Sequence, residues 1–518
     1  MKKNRGGLII FMCLTMLCSC GSHIGSDGIS SESETQSNCD IIASRVVATD
    51  KTTYIEVDGK PFIYTGIQLR TDAFMNCEYK TAAELEPYFA ATAALNINTI
   101  QVPIDWRDIE TSFDVYDFSV IKTFLDIALK YNLKVEFLWF STNMCGETHA
   151  YHIPDYIIDD AVTYPRYDTT YTGQFWPYYG YILHLEFGHD NLLARETKVA
   201  KEIMNFVIEW EKRNNNPNTL IGVQVHNEPD CFPLWRVGHN QISVKKNGVQ
   251  ITYEEAAETV NKALNEVGKA FKSTPYKIFT RVNFALANKM NNYIRSVFAL
   301  EGIDIVGDDP HEENVATIQD VIANEYALKG NYPHIAENRA TYENTPSLIL
   351  SALANSGGYI LYEVATSTFF IRYASGPIDP DYGIYNSDLT PRANTMAVKN
   401  FLDMINNLGS SIVTVGKENI KAFNIENNTP KDNYSIGIRI NRKPYIFETT
   451  DGAIGCILNC DDYLLVCADK SASFFGLDNS STVEKGKFIN DEWLVEKEVL
   501  VIDNKFNLEG YGIYKICL

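Results

Sequence analysis

The stretch LIGVQVHNEPD, residues 220–230, decides how the rest of the chain is interpreted. Its apolar run contains three β-branched residues and stops abruptly at Asn227, Glu228 and Pro229. A buried parallel strand has this pattern when it delivers polar side chains to its carboxyl end. The stretch therefore predicts a core strand that ends in an amide beside a carboxyl group.

Short apolar runs alternate with amphipathic stretches from residue 55 to about residue 408, which is typical of repeated βα units and a parallel sheet. Seven further strands are predicted, at residues 61–68, 97–104, 133–140, 277–284, 303–307, 333–336 and 358–364. Eight helices are predicted, at residues 82–95, 118–131, 195–212, 253–271, 291–300, 315–328, 346–354 and 392–408. This order predicts an α/β fold, a (β/α)8 TIM barrel over residues 51–408, with insertions after strands three and four.

The region after the barrel has a different pattern. Short β-rich segments bounded by Asn, Gly and Asp include residues 434–440, 444–448, 463–467 and 499–502. They predict a small antiparallel β-sandwich domain over residues 409–518.

The amino terminus has the features of an export signal. Basic residues precede an apolar run at residues 8–16, which is too short to span a bilayer comfortably. The sequence LCSC that follows resembles a bacterial lipobox, which implies a lipoprotein signal peptide at residues 1–19, lipidation of Cys20 and a flexible tether at residues 20–50. The expectation is an exported bacterial lipoprotein, periplasmic or anchored at the outer membrane or cell surface. An ordinary secretory signal with a chance cysteine is the alternative.

The net charge of the chain indicates which classes of partner are unfavourable. The 518 residues include 66 Asp or Glu and 45 Lys or Arg, a formal net charge of -21. This balance argues against a nucleic-acid partner, because phosphate binding requires basic patches. Cys456, Cys460 and Cys467 lack a further ligand that would complete a zinc site, so buried or disulfide-bonded cysteines are favoured. Neither a metal nor an organic cofactor is expected.

The carboxyl ends of the strands form one rim, where the active sites of such barrels lie. Acids, amides and aromatic rings end the predicted strands, among them Asp105, Trp106, Trp139, Asn143, Asn227, Glu228, Asn283, Asp308, Asp309, His311, Glu337, Asn338, Tyr362 and Glu363. Such side chains bind sugar hydroxyl groups and stack on sugar rings, so a neutral carbohydrate is the expected substrate. Glu228 and Glu337, on predicted strands four and seven, are the two carboxyl groups that glycoside hydrolysis requires.

These positions carry a resemblance to a known group of enzymes. Strand four ending in Asn227 and Glu228, with a second Glu at the end of strand seven, resembles the clan A retaining glycoside hydrolases. Residues 104–159 are similar to the β-galactosidase-like barrels of glycoside hydrolase families 35 and 42. The similar residues and segments are Trp106, Glu110, VYDFSVIKTFLDIALKYNLKVEFLWFSTNMCGE and His152-Ile153-Pro154-Asp155-Tyr156. Thr111, His226 and Pro229 depart from the usual pattern, which makes galactose specificity less secure than clan membership.

The resemblance implies a retaining β-glycosidase that acts on oligo- or polysaccharides by double displacement. Glu228 would be the general acid/base, Glu337 the nucleophile, and Asn227 would bond the sugar 2-hydroxyl group. The further substrate-binding candidates are Trp139, Asn143, Asp309, His311, Tyr362 and Glu363.

Several alternatives stay open at this stage. Glu363 would be the nucleophile if the strands were miscounted by one unit. Glu136, inside strand three, is interpreted as a structural carboxylate paired with Arg281. The alternative functions are a non-catalytic glycan-binding lipoprotein that keeps the barrel as a scaffold, and a transglycosylase using the same site.

Overall fold

The computed structural model describes residues 40–169, 173–176, 180–231, 244–285, 291–373, 381–426 and 428–517. The expected signal peptide and Cys20 lie outside these residues. Residues 41–48, which the sequence assigned to the tether, form the strands Ile41–Ile42 and Ser44–Ala48 instead. The predicted end of the tether at residue 50 is therefore wrong, because this segment pairs with the folded part of the chain.

Eight parallel strands close into a barrel, as predicted. They are β1 (Thr65–Gln68), β2 (Thr99–Pro103), β3 (Lys134–Met144), β4 (Leu220–Asn227), β5 (Phe279–Phe284), β6 (Ile305–Asp308), β7 (His334–Arg339) and β8 (Gly358–Tyr362). The ring closes because β8 pairs with β1. The strand that opened the sequence analysis is β4, with β3 and β5 as its neighbours.

Each barrel strand is followed by a helix. These are α1 (Glu86–Ala94), α2 (Ser119–Lys130), α3 (Asp190–Arg213), α4 (Tyr253–Lys272), α5 (Asn291–Phe298), α6 (Val315–Asp320), α7 (Thr345–Ala354) and α8 (Thr395–Asn406). Their apolar faces pack on the barrel, as in α2, where Ile121, Phe124 and Leu125 are buried. Sequence signals set the boundaries: Thr252 Oγ1 accepts from the backbone N–H of Glu255 at 3.2 Å, which starts α4 with a capping box.

The chain also contains shorter helices and strands outside the barrel strands and their eight helices. Additional helices lie at Thr71–Glu78, Ala82–Leu85, Trp106–Ile109, Asp155–Asp159, Val321–Glu325, Thr368–Tyr373, Ser411–Thr414 and Lys417–Asn419. Short strands lie at Thr53–Val57, Lys60–Phe62, Glu110–Ser112, Val115–Tyr116, Thr148–His149, Phe175–Trp176, Gly180–Leu183, Lys245–Lys246, Val249–Gln250 and Tyr276–Lys277.

The barrel interior is apolar at its amino-terminal end and polar above. Buried side chains from the strand starts and the preceding sheet form the apolar layer, which contains Ile55, Val57, Tyr64, Ile221, Phe279, Ile305, Tyr332 and Ile360. Above it, Arg281 pairs with Glu136, and Gln101 Nε2 donates to Glu136 Oε2 at 2.9 Å. The pairing expected from the sequence is confirmed, and Glu136 is a structural carboxylate. The open end of the barrel is therefore the carboxyl-terminal rim.

Two antiparallel sheets follow the barrel, as predicted. One contains Ile420–Phe423, Gly455–Asn459, Tyr463–Ala468, Gly512–Cys517, Val483–Ile489 and Glu492–Val499. The other contains Tyr434–Ile440, Lys443–Thr449, Ala472–Phe475 and Lys505–Leu508. Phe423, Phe447 and Leu464 belong to one core between the sheets. The predicted strand at residues 499–502 is wrong, because Leu500 and Ile502 are exposed and lead into a turn.

Candidate active site

Two carboxyl groups face the mouth of the barrel from strands that lie three steps apart in the ring. Glu228 directly follows β4 and is partly buried, whereas Glu337 lies in β7 and is buried. Burial, together with the charge of Glu337, raises the pKa of Glu228 to about 8. The strand count that assigned Glu337 to strand seven is thus confirmed, and the electrostatic partner of Glu228 is Glu337.

The two carboxyl groups have different neighbours. Burial raises the pKa of Glu337, but the positive charge of Arg70, a hydrogen bond from Gln68 and the charge of Arg281 act to lower it. Gln68 Nε2 donates to Glu337 Oε1 at 3.0 Å. The charges acting on Glu228 are those of further carboxylates, which favour its protonated form. A hydrogen bond from the Cys145 thiol acts in the opposite direction. The pKa of Glu337 is raised overall, but the cations and the hydrogen-bond donor beside it act against this increase, whereas the charges acting on Glu228 add to the increase of its pKa.

A bulge at the end of β4 orients Asn227 and Glu228. The register against β3 shifts between Val225 and Asn227, and both His226 and Glu228 have positive φ angles, of 60° and 45°. His226 turns outward, where its Nε2 lies 3.0 Å from Glu196 Oε1. Bulges re-aim side chains at strand ends, and this one delivers Asn227 and Glu228 to the mouth.

Asn283, on β5, holds this end of β4 in place. Its Nδ2 donates to Asn227 Oδ1 at 2.9 Å, and its Oδ1 accepts from the backbone N–H of Glu228 at 3.3 Å. Gln224 Nε2 also donates to Asn227 Oδ1, at 2.8 Å. The Asn227 oxygen already accepts two hydrogen bonds, and its amide nitrogen donates one hydrogen to Cys145 Sγ at 3.6 Å, so the second hydrogen of this nitrogen is the donor left for a ligand. The sequence placed Asn283 on the rim but gave it no role.

Asp309 adds a third carboxyl group. It is buried, and Asn283 Nδ2 donates to its Oδ2. Burial raises the pKa of Asp309 well above its ordinary value, with further increases from the charges of Glu337 and Glu228. The preceding residue, Asp308, instead accepts a hydrogen bond from Tyr326 at 2.8 Å, outside the barrel.

His311 and Tyr362 flank Glu337. His311 Nε2 lies 3.7 Å from Glu337 Oε2, and its ring centroid lies 5.4 Å from that of Tyr362. Burial, with the charge of Arg339, lowers the pKa of His311 to about 4, so its imidazole is neutral at pH 7. The Tyr362 hydroxyl accepts from Arg70 Nη1 at 3.1 Å.

Glu363 directly follows β8. Thr366 Oγ1 donates to its Oε1 at 2.9 Å, and burial raises the pKa of Glu363 to about 8. The charges that act on it come from Arg70, Asp72 and Asp381, rather than from Glu228. Glu337 lies in β7 and Glu363 follows β8, so the alternative in which the strands were miscounted by one unit is wrong.

The two candidates on β3 differ. Trp139 is fully buried, its Nε1 donates to Glu196 at 2.9 Å, and its ring packs 6.1 Å from Trp106 and 6.0 Å from Phe271. The expectation of a sugar platform is wrong, because Trp139 faces the helix layer. Asn143 is buried beside Met144, which pairs with Asn227, and its amide has no hydrogen-bond partner within the described residues.

Metal-ligating groups are not clustered in the described part of the chain. Within it, no set of three or more His, Cys, Asp or Glu could hold a metal ion. Its seven cysteines are free thiols, and none of its helices is long and apolar enough to cross a membrane.

The fold and the rim define a (β/α)8 barrel with an acid-rich pocket at the carboxyl ends of its strands, followed by a β-rich region. Residues 259–430 match a family model described as a domain of unknown function, DUF4978. No curated protein matches the chain.

Three solved structures that are similar to this chain are glycosidases. An exo-β-1,4-mannosidase from Opitutaceae bacterium strain TAV5 has a TM-score of 0.47 and 12% identity, over 69% of this chain and 62% of that chain. A β-galactosidase from the psychrophilic Marinomonas ef1 has a TM-score of 0.44 and 11% identity, over 68% and 60%. A polyextremophilic β-galactosidase from the Antarctic haloarchaeon Halorubrum lacusprofundi has a TM-score of 0.46 and 12% identity, over 67% and 59%. The chain spans about three fifths of the length of these structures.

Proposed function

We propose that this protein is a retaining β-glycosidase, with a β-galactosidase-like barrel, that hydrolyses oligo- or polysaccharides. The observation that carries the proposal is the pair Glu228 and Glu337, which interact across the mouth but have opposite surroundings. Glycoside hydrolysis with retention requires one carboxylate as nucleophile and one carboxylic acid as proton donor.

The reaction has two steps. Glu337 attacks the anomeric carbon while protonated Glu228 transfers its proton to the departing oxygen. Formation of the glycosyl ester removes the charge of Glu337, which lowers the pKa of Glu228 and makes it a base. Glu228 then takes a proton from the incoming water, whose oxygen attacks the anomeric carbon and releases Glu337.

Asn227 binds the sugar 2-hydroxyl group through its amide nitrogen, because its oxygen is already occupied by Gln224 and Asn283. This contact strengthens as positive charge develops at the adjacent anomeric carbon. The remaining polar side chains of the pocket, Asn143, Asp309, His311, Tyr362 and Glu363, bind other hydroxyl groups of the substrate.

The substrate class is a neutral sugar. Two arginines near the mouth are already paired, Arg70 with Asp72 at 2.6 Å and Arg281 with Glu136. The carboxyl groups nearby would repel an anionic substrate group. We expect uronic acids and sulfated sugars to be poor substrates.

Export is a proposal that rests on the sequence alone. Lipidation of Cys20 would tether the barrel to a membrane outside the cytoplasm. Radioactive palmitate supplied to expressing cells should label the wild type but not Cys20→Ala, and equal labelling of both would contradict the anchor.

A panel of nitrophenyl glycosides tests the activity. Wild type should release nitrophenol from at least one β-glycoside, and proton NMR should detect the β-anomer of the sugar first. Glu228→Gln and Glu337→Gln should lose at least about 10³-fold in kcat, given the contributions of proton transfer and covalent catalysis. Glu258→Gln, on the exposed face of α4, is the matched control. A wild type that binds glycan but turns over no glycoside would favour the non-catalytic alternative. Products that carry an added sugar acceptor would indicate a transglycosylase.

A further inference from the structure

Four charged side chains form a buried chain beside the pocket. Arg70 Nε and Nη2 donate to the two oxygens of Asp72 at 2.8 and 2.6 Å. His152 Nε2 lies 3.9 Å from Asp72 Oδ2, and His152 Nδ1 lies 2.5 Å from Asp105 Oδ1. None of the four is more than 6% exposed. Their charges alternate in sign from Asp105 through His152 and Asp72 to Arg70 when His152 is protonated.

One end of this chain reaches the proposed nucleophile. Arg70 Nη1 donates to the Tyr362 hydroxyl at 3.1 Å, and the charge of Arg70 acts to lower the pKa of Glu337. The charge of Asp72 acts in the opposite direction on Glu337. The field at Glu337 therefore depends on how well Asp72 is neutralised.

The other end, Asp105, follows β2 and is held by the helix Thr71–Glu78, which follows β1. Asn76 Nδ2 donates to Asp105 Oδ2 at 2.8 Å, which orients the carboxylate toward His152. The further groups that face His152 are Asp108, His149 and Phe140. Burial acts to lower the pKa of His152, but the charges of Asp105 and Asp72 outweigh it and the pKa is raised.

Charge balance explains why the chain needs a cation at its centre. Asp72 and Asp105 are two buried carboxylates, and a buried charge without a partner is strongly destabilising. Arg70 can neutralise only one of them. If His152 lost its proton, the excess negative charge of Asp72 and Asp105 would offset the effect of Arg70 on Glu337.

We propose that His152 and Asp105 are positioning residues for the nucleophile, which act on Glu337 through Asp72 and Arg70. This inference rests on the proposed role of Glu337. It also assigns a role to the histidine of the His-Ile-Pro-Asp-Tyr motif.

The ionisation of Glu337 can be measured without turnover. Glutamate labelled with ¹³C at the side-chain carboxyl gives resonances that titrate with pH, and the one absent from Glu337→Gln belongs to Glu337. His152→Gln should raise the midpoint of Glu337 by about half to one pH unit, since it removes the positive charge that offsets Asp72. His184→Gln, which alters another buried histidine, should leave the midpoint unchanged. An unchanged midpoint in folded His152→Gln would overturn the inference.

Kinetics provide the second readout. The acid limb of the kcat/KM profile should move to higher pH in His152→Gln by the same amount. Asp105→Asn should give a smaller shift than His152→Gln, because it lowers the proton affinity of His152 but also removes the negative charge of Asp105, and it retains the shape of the site if His152→Gln does not fold. The double variant should add little to either single change. If kcat/KM fell equally at every pH and the acid limb of the profile did not move, the role of His152 would be purely structural and the proposal would be overturned.

The two proposals fail in different ways. A wild type inert on every glycoside, with the NMR midpoint still shifted in His152→Gln, would refute the glycosidase function but keep the coupling. A wild type that turns over glycosides, with neither midpoint nor limb shifted in the variants, would refute the coupling alone.

Discussion

Asn283 offers the most informative single substitution in this pocket. Asn283→Ala removes the donor to Asn227 Oδ1 at 2.9 Å, the donor to Asp309, and the acceptor of the Glu228 N–H at 3.3 Å. A buried polar group left without its partner costs about 1 to 3 kcal/mol. Water that enters the site offsets part of the loss, so the free energy of unfolding should fall by about 2 to 4 kcal/mol.

The effect on catalysis should exceed the effect on substrate binding. Without Asn283, one donor remains to orient the Asn227 amide, and the contact to the 2-hydroxyl group becomes less well aligned. Because that contact strengthens in the transition state, the loss should fall on kcat. A weakening of about 1.4 to 2.7 kcal/mol corresponds to a decrease in kcat of roughly 10- to 100-fold, with KM changed by less than about threefold.

Asn338→Ala is the matched control for this experiment. Asn338 is also a buried asparagine near the end of a barrel strand, and its amide donates to Tyr359 at 2.8 Å and to the Glu312 carbonyl at 2.9 Å. Urea denaturation should give similar losses of stability for the two variants, while nitrophenyl glycoside kinetics should show the large fall in kcat only for Asn283→Ala. Equal kcat values for the two variants would refute the reasoning.

Three further outcomes follow from the same contacts. In Glu337→Gly, azide should restore turnover and give the α-glycosyl azide, because it attacks from the side that the nucleophile vacates; recovery of the β-azide would contradict the role. Burial raises the pKa of Glu363 from 4.5 to about 8. Its carboxyl therefore stabilises the fold below pH 4.5 and loses this contribution as the pH rises through 8. Between pH 4.5 and pH 8, the free energy of unfolding of Glu363→Gln should therefore increase relative to that of the wild type by roughly 2 to 5 kcal/mol. A difference in thermal unfolding that stays constant with pH would contradict the raised pKa of Glu363. Trp139→Phe should lose about 1 to 3 kcal/mol of stability with its hydrogen bond to Glu196, yet keep the wild-type KM; a large rise in KM would restore the sugar-platform interpretation.

The barrel could be predicted because its strands and helices differ strongly in hydrophobic period. Strands buried on both faces give continuous apolar runs, and α2 and α4 show one apolar face each. The strand count followed from these patterns, and it placed Glu337 on the seventh strand. The tether boundary could not be predicted, because residues 41–48 pair with partners that are distant in sequence or belong to a short flanking sheet.

The error at Trp139 has a simple geometric cause. Side chains alternate between the two faces of a strand, so the phase must be known before any residue is assigned to the pocket. Glu136 points into the barrel toward Arg281, and Trp139, three residues later, therefore points to the helices. The sequence already favoured that ion pair, and applying its phase would have predicted the outward position. No comparable signal identified Arg70 or Asn283, because their roles depend on contacts between different strand ends.

The difference between the surroundings of the two carboxyl groups is a consequence of strand order rather than of residue type. Glu228 and Glu337 are chemically identical, so the Asn-Glu motif alone cannot assign their roles. In the ring, β8 and β1 follow β7, and β1 brings Gln68 and then Arg70 to Glu337. β3 and its following turn instead bring the Cys145 thiol to the end of β4, where it accepts from Asn227 at 3.6 Å. Its hydrogen bond to Glu228 acts to lower the pKa of Glu228, but it brings no positive charge, and burial and the charge of Glu337 raise that pKa to about 8. Because a barrel fixes which strand ends are neighbours, Gln68 at the end of β1 and Arg70 just after it act to lower the pKa of Glu337 rather than that of Glu228.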